Sequence, residues 1–231
     1  MLDKPAAAKP SSTKPAIPFD ADRLDRWMDE EGIDVLLATS KHNVQYLLGG
    51  HRADFFDYMD ATAVTRYLPV VIYPKGAPDK AAYVGHRLEK WQVEVNPLWI
   101  PQQQTVSNGS IDGMQKAIDV MKKSGMKPRR LGAEFGFLPY DAALVLRDAF
   151  PDAALVDATI VLDRQRARKS PDELKKLKFA SEVVLDSMKT VDLIVAISAE
   201  FGVDISPAEF EREKWATPRL IIEDIETRIA G

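Results

Sequence analysis

A chain of 231 residues, 45% hydrophobic and 29% charged, is long enough to bury one substantial core and a small second one. The net charge of -4 comes from interspersed acids and bases, which leaves no basic footprint for nucleic acid and excludes it as an expected partner. With no cysteine there is no disulfide or thiolate chemistry, which fits a reducing, cytoplasmic compartment. No apolar run has the length of a membrane span, and the N-terminus lacks the apolar stretch of a signal peptide.

Residues 1–18 carry Pro5, Pro10, Pro15 and Pro18 among Ala, Lys and Ser, a composition expected to form a flexible tail. Asp20 then precedes Leu24, Trp27 and Met28 at helical spacing, with Gly32 as a stop. Ile33 to Ala38 reads as a buried strand. His42 to Leu48 has room for a short helical turn before Gly49-Gly50, which permits a sharp change of direction into a long loop. Strands at Leu68 to Tyr73 and Ala81 to Val84 flank Pro74-Lys75-Gly76-Ala77-Pro78, whose composition predicts an antiparallel hairpin.

Gln102 to Gly109 reads as a polar loop. Ile111, Met114, Ile118 and Met121 then mark one face of a helix that Gly125 ends. A strand at Arg130 to Glu134, a helix at Tyr140 to Phe150 and a strand at Ala154 to Val156 follow. Ser170-Pro171-Asp172-Glu173 supplies the cap, first position and acidic first turn of a long helix. This alternation predicts an α/β domain over residues 19–170, a mixed β-sheet flanked by helices. A linker helix over 171–185 then leads to a small all-α segment over 186–231. There Val191, Ile194, Val195 and Ile197 form one apolar stripe, Gly202 ends it, and Leu220, Ile221, Ile225 and Ile229 form another.

Three stretches resemble the N-terminal, non-catalytic domain of the creatinase, prolidase and aminopeptidase P family. They are Asn43-Val44-Gln45-Tyr46-Leu47-Leu48-Gly49-Gly50; Arg130-Leu131-Gly132-Ala133-Glu134; and Val156-Asp157 through Arg166-Ala167-Arg168-Lys169-Ser170-Pro171-Asp172-Glu173-Leu174. The family's chemistry belongs to a following "pita-bread" domain, where two Asp, one His and two Glu hold a pair of metal ions that activate water. That half is not matched here. His42, His51 and His86 are the only histidines and show no metal-ligand spacing, so no metal is expected. His42 reads as a turn or capping residue and His86 as a surface residue.

In the family, the loop after the Tyr-x-x-Gly turn helps bind substrate, often at a neighbouring subunit's active site. The resemblance therefore implies a substrate-loop role for His51, Arg52, Phe55, Phe56 and Tyr58. Their chemistry suits it, since a guanidinium can clamp a carboxylate while rings wall off water; the alternative is that the aromatics pack on their own domain and Arg52 is solvated.

Beyond residue 185 the chain resembles the later half of a D-alanyl carrier protein. The match rests on Asp186-Ser187-Met188-Lys189-Thr190-Val191, Phe201-Gly202-Val203-Asp204, and Glu209-Phe210-Glu211-Arg212-Glu213-Lys214-Trp215-Ala216-Thr217-Pro218. It implies a 4'-phosphopantetheine arm on Ser187, Asp186 assisting recognition by a phosphopantetheinyl transferase, and loading by an adenylating ligase. Such an arm needs a serine at an exposed helix N-terminus. Yet Lys189 replaces the usual glycine, and the run from Asp172 to Leu185 has no Gly or Pro, so propensity favours a helix passing straight through Ser187.

The leading expectation is a non-catalytic creatinase-type domain used for interaction or oligomerisation, joined to a truncated carrier-like module. One alternative is a functional acyl (D-alanyl) carrier. The other is a fragment of a metal-dependent Xaa-Pro aminopeptidase whose metal-binding half is a separate chain.

Overall fold

Val35–Ala38 (β1) is apolar at every position because it lies in the middle of a sheet covered on both faces. The structure, a computed structural model, describes residues 16–54, 67–201 and 222–227. The chain divides into two units, Met1–Arg168 and Lys169–Gly231. In the first, a six-stranded sheet has the order β4-β3-β2-β1-β5-β6. Its other strands are Val70–Pro74 (β2), Ala82–His86 (β3), Gln102–Ser107 (β4), Arg130–Ala133 (β5) and Ala154–Asp157 (β6). β2 runs antiparallel to β1 and β3, while the β1–β5, β5–β6 and β3–β4 pairs are parallel. The fold is thus the expected mixed sheet, and the hairpin around Gly76 is antiparallel.

Alternate strand residues feed two cores. Leu36, Val71, Tyr73 and Tyr83 meet Ala21–Glu30 (α1), Lys41–Leu47 (α2) and Thr159–Ala167 (α6) on one face. Val35, Leu37, Val70, Ile72, Ala82 and Val84 meet Ser110–Lys123 (α4) and Tyr140–Ala149 (α5) on the other. Helix ends obey the sequence: Asp20 Oδ1 accepts from the Arg23 amide at 2.9 Å, and Gly32 and Gly125 take positive φ beyond α1 and α4.

Two departures have physical causes. Gln102–Ser107 is not a loop but the edge strand β4. Paired on one side only, it keeps polar side chains, and Gln103 Nε2 donates to the carbonyls of Leu98 and Ile100, so no apolar alternation announces it. Residues 87–95, unassigned from sequence, form a 3-10 turn, Arg87–Glu89, running into the short helix Lys90–Val95 (α3). Its start is an unusual capping box, because His86 rather than Ser or Thr is the cap: Nδ1 accepts from the Leu88 amide at 3.3 Å, and Glu89 accepts from the His86 amide at 2.7 Å. His86 is therefore buried, not a surface residue.

In the second unit, the 31-residue helix Pro171–Phe201 (α7) begins with the expected cap. Ser170 Oγ accepts from the Glu173 amide, and Glu173 accepts from the Ser170 amide. Ile194 and Ile197 are buried. Val195 is exposed, off the stripe it was assigned to, since its 100° turn from Ile194 carries it round the helix. Residues 222–227 are helical and bury Ile225. Trp215, Pro218 and Gly202 lie outside the described residues.

Candidate functional site

α2 opens with Ser40, whose hydroxyl accepts from the Asn43 amide, and closes at Gly49 and Gly50, with φ of 73° and 102°. Only glycine takes that second value without strain, so the pair turns the chain out of the helix and launches His51–Asp54. A Cβ on Gly49 would also approach Pro18 Cβ to 3.1 Å.

Two side chains spaced three apart then hold this loop. Gln92 Nε2 donates to the Arg52 carbonyl at 2.6 Å and to Asp54 Oδ1 at 3.3 Å, while its Oε1 accepts from the Asp54 amide at 3.1 Å. Glu89 Oε2 lies 3.3 Å from His51 Nε2. The 87–95 segment, with Glu89 in its 3-10 turn and Gln92 in α3, therefore fixes both the backbone and the first side chain of the loop.

Glu89 is the centre of a buried network. Besides His51, its carboxylate accepts from the hydroxyls of Tyr67 and Tyr83, the latter at 2.6 Å, and from the His86 amide. Burial pushes the Glu89 carboxyl up, but the donors from His51, Tyr67, Tyr83 and the His86 amide outweigh it and hold the group below its ordinary value. Burial, followed by the nearby carboxylate, pushes Tyr83 well up, and burial with the neighbouring Tyr83 and Glu89 does the same to Tyr67. His86 is lowered chiefly by burial. A Cβ on Gly85 would lie 2.8 Å from the Tyr83 ring and 2.9 Å from Glu89 Oε1, so the network has room only for glycine there.

Beside the loop is a cleft of about 470 Å³ lined by Gly50, His51, Arg52, Gln92, Leu98 and Trp99, among others. Trp99 forms a fixed wall, since its indole Nε1 donates to the Leu47 carbonyl at 2.7 Å. His51 is half-buried against this frame and Arg52 exposed, so the two described members of the expected substrate loop come together at one cleft. Phe55, Phe56 and Tyr58 lie outside the described residues. Sequence reasoning missed Glu89 and Gln92. Their spacing of three was the one available signal, and it had no apolar pattern around it.

A second buried carboxylate braces the start of α2. Glu134, fully buried after β5, accepts from the Thr39 amide at 2.6 Å, the Ser40 amide at 2.9 Å and Asn43 Nδ2 at 2.6 Å. Asn43 Oδ1 in turn accepts from Arg166 at 3.2 Å. His42 sits exposed on α2, 3.3 Å from the Ser40 hydroxyl and edge-on to Phe137.

Asp186 and Ser187 belong to the second unit. The α7 backbone is continuous through both positions, and their side chains lie outside the described ones. Among the described residues, no group of three or more His, Asp or Glu side chains is arranged to hold a metal ion, and no helix is long and apolar enough to cross a membrane.

Comparison with known proteins supplies the relationships. The Creatinase/Prolidase N-terminal domain profile matches residues 21–168. The Xaa-Pro dipeptidase from Bacillus anthracis shares the fold with a TM-score of 0.55 at 20% identity, over 74% of this chain and 41% of that one. The prolidase from Pyrococcus horikoshii OT3 does so with a TM-score of 0.51 at 19% identity, over 91% of this chain and 48% of that one. This chain thus spans under half the length of either. The D-alanyl carrier protein of Lacticaseibacillus rhamnosus is 39% identical over 69 residues, 29% of this chain and 85% of that protein, in the C-terminal part. The chain therefore belongs to the creatinase/prolidase N-terminal domain family, and its C-terminal part is homologous to D-alanyl carrier proteins.

Proposed function

We propose that this chain is a non-catalytic recognition protein, in which a creatinase-type domain presents the His51–Arg52 loop to a carboxylate-bearing peptide or protein group and the carrier-like segment is appended to it. The observation that carries the reading is the two-point anchorage of the loop: Glu89 holds the His51 ring and Gln92 holds the Arg52 and Asp54 backbone. Anchoring lowers the entropy lost when a guanidinium closes on a carboxylate, which is what a recognition loop needs and a passive surface loop does not. The partner is a second copy of the chain or a separate catalytic chain, and the proposed location is the cytoplasm.

Incubating the purified chain with Xaa-Pro dipeptides and divalent manganese is the direct test. No chelator-sensitive turnover is expected. Robust cleavage abolished by a chelator would overturn the non-catalytic reading in favour of a metal-dependent Xaa-Pro peptidase fragment.

The 39% identity to a carrier protein over most of that protein's length favours a second reading, an acyl (D-alanyl) carrier bearing 4'-phosphopantetheine on Ser187. When bound, the arm would supply a thiol that carries an acyl group as a thioester, with an adenylating ligase and a transferase as partners. The fit at position 187 is poor. The phosphodiester wants the free N–H groups of a helix N-terminus, whereas the α7 backbone is continuous there. Intact mass after incubation with coenzyme A and a broad-specificity phosphopantetheinyl transferase should show little or no modification. Rapid stoichiometric addition, lost in Ser187→Ala, would establish the carrier instead.

A further inference from the structure

The first unit has a second cleft, of about 500 Å³, where α4 and α5 end and β5 and β6 begin. It lies at the N-terminal ends of these parallel strands, whereas Glu134 and the root of the His51 loop lie at the C-terminal ends. Its volume is that of a small-molecule site. The lining is of two kinds. Met126, Pro128, Ala149, Phe150 and Pro151 give an apolar surface, with Met126 and Phe150 packed onto the core beneath, and Lys122, Lys127 and Arg129 give the cations.

All three cations are exposed at the cleft rather than buried in it. Several basic side chains elsewhere in the unit pair with acids: Lys75 with Asp29, Lys116 with Asp112, Arg164 with Glu30. Lys127 and Arg129, by contrast, have no side-chain hydrogen bond or ion pair among the described residues. Lys122 Nζ instead sits 5.6 Å from the centroid of the Phe150 ring, held over the apolar surface by its attraction to the ring face. Asp152 is the one carboxylate of the lining. Asp34 is already committed to the amides of Arg129 and Arg130.

Two helices direct their C-terminal ends here, which alone would repel an anion. Part of that is offset at α4, where the Ser124, Gly125 and Met126 amides take the Val120, Lys122 and Met121 carbonyls, while at α5 the Phe150 amide takes the Leu146 carbonyl. Three cations against one carboxylate leave two net positive charges at the cleft, which is the complement of a dianion. The apolar surface beside them would cover a carbon body.

We propose that this cleft binds a small phosphate monoester, its dianionic head between Lys127 and Arg129 with Lys122 at the edge, and its apolar or aromatic body over Met126, Phe150 and Pro151. Arg129 contributes the forked donor geometry that suits phosphate oxygens. The site is independent of the His51 loop, so it stands or falls separately from the recognition reading.

Phenyl phosphate titrated into the full chain at low ionic strength, followed by calorimetry and by amide chemical shifts, tests it. Saturable one-site binding that weakens with added salt is expected, with shifts centred on residues 122–129 and 149–153. The double variant Lys127→Ala/Arg129→Ala should bind about tenfold or more weakly. Both side chains are exposed, so its thermal melt should match the parent's, and Lys122→Met provides a second variant with the same expected direction. Inorganic phosphate and phenol, each offering half of the ligand, should both bind more weakly than phenyl phosphate. Absence of saturable binding, unchanged affinity in the folded double variant, or equal affinity for phenol or for inorganic phosphate would each overturn the proposal.

Discussion

Glu134→Ala is expected to destabilise the first unit by roughly 3–5 kcal/mol, the scale for removing one partner of a buried, charge-assisted network. The carboxylate is completely buried and takes three donors, two of them the backbone amides of Thr39 and Ser40 where the chain leaves β1 and enters α2. Truncation orphans both amides in a place water does not reach and frees Asn43, whose carboxamide links the cluster to Arg166. The damage is thus to the junction of β1, α2 and α6 rather than to one contact. Glu134→Gln can keep its one acceptor oxygen on the Thr39 and Ser40 amides but turns an NH₂ towards Asn43 Nδ2, so it should lose about 1–3 kcal/mol. Denaturant unfolding followed by tryptophan fluorescence measures both. A midpoint for Glu134→Ala within about 0.5 kcal/mol of the parent, the range of an innocuous surface change, would show that the amides find other partners.

What the sequence revealed and what it hid divide along a physical line. Elements whose side chains meet a core on a regular period were readable: the both-sides-buried run of β1, the Met114–Ile118–Met121 face of α4, the Asp20 and Ser170 caps. β4 was not, because an edge strand need not alternate. The 87–95 segment was not either, because its start is capped by a histidine and its inward side chains are Glu89 and Gln92, polar residues that serve a loop about 40 positions earlier. Such long-range polar pairs have no local signature. The His51–Arg52 loop is marked in the sequence only by resemblance, and the side chains that anchor it meet it only in the folded chain. At Ser187 the sequence offered two incompatible messages, a carrier-like motif and an unbroken helical run, and the backbone follows the second. Local propensity prevails there because nothing between Asp172 and Leu185 interrupts the hydrogen-bond ladder.

Glu89→Gln should lower stability by about 2–4 kcal/mol at neutral pH, because an ionised acceptor of four hydrogen bonds is replaced by a neutral amide with one acceptor oxygen among the same donors. The loss should depend on pH with a definite sign. The folded carboxyl titrates below its ordinary value, burial opposing and the four donors favouring the charged form. The folded state therefore holds fewer protons than the unfolded chain, and its advantage is complete above the unfolded glutamate value near ~4.3. As the pH falls from there through the lower folded value, the parent loses that advantage and the variant, which cannot titrate at this position, does not. The stability difference between them should be flat from neutrality to mild acid and then shrink. Amide exchange adds a local readout: His51 and Ala53 should lose protection in Glu89→Gln more than residues of β1 do, since the contact at 3.3 Å to His51 is the longest of the four and the first to yield. A difference that widens on acidification would mean that burial, not hydrogen bonding, controls this carboxylate, and uniform loss of protection across the sheet would mean that Glu89 supports the domain without positioning the loop.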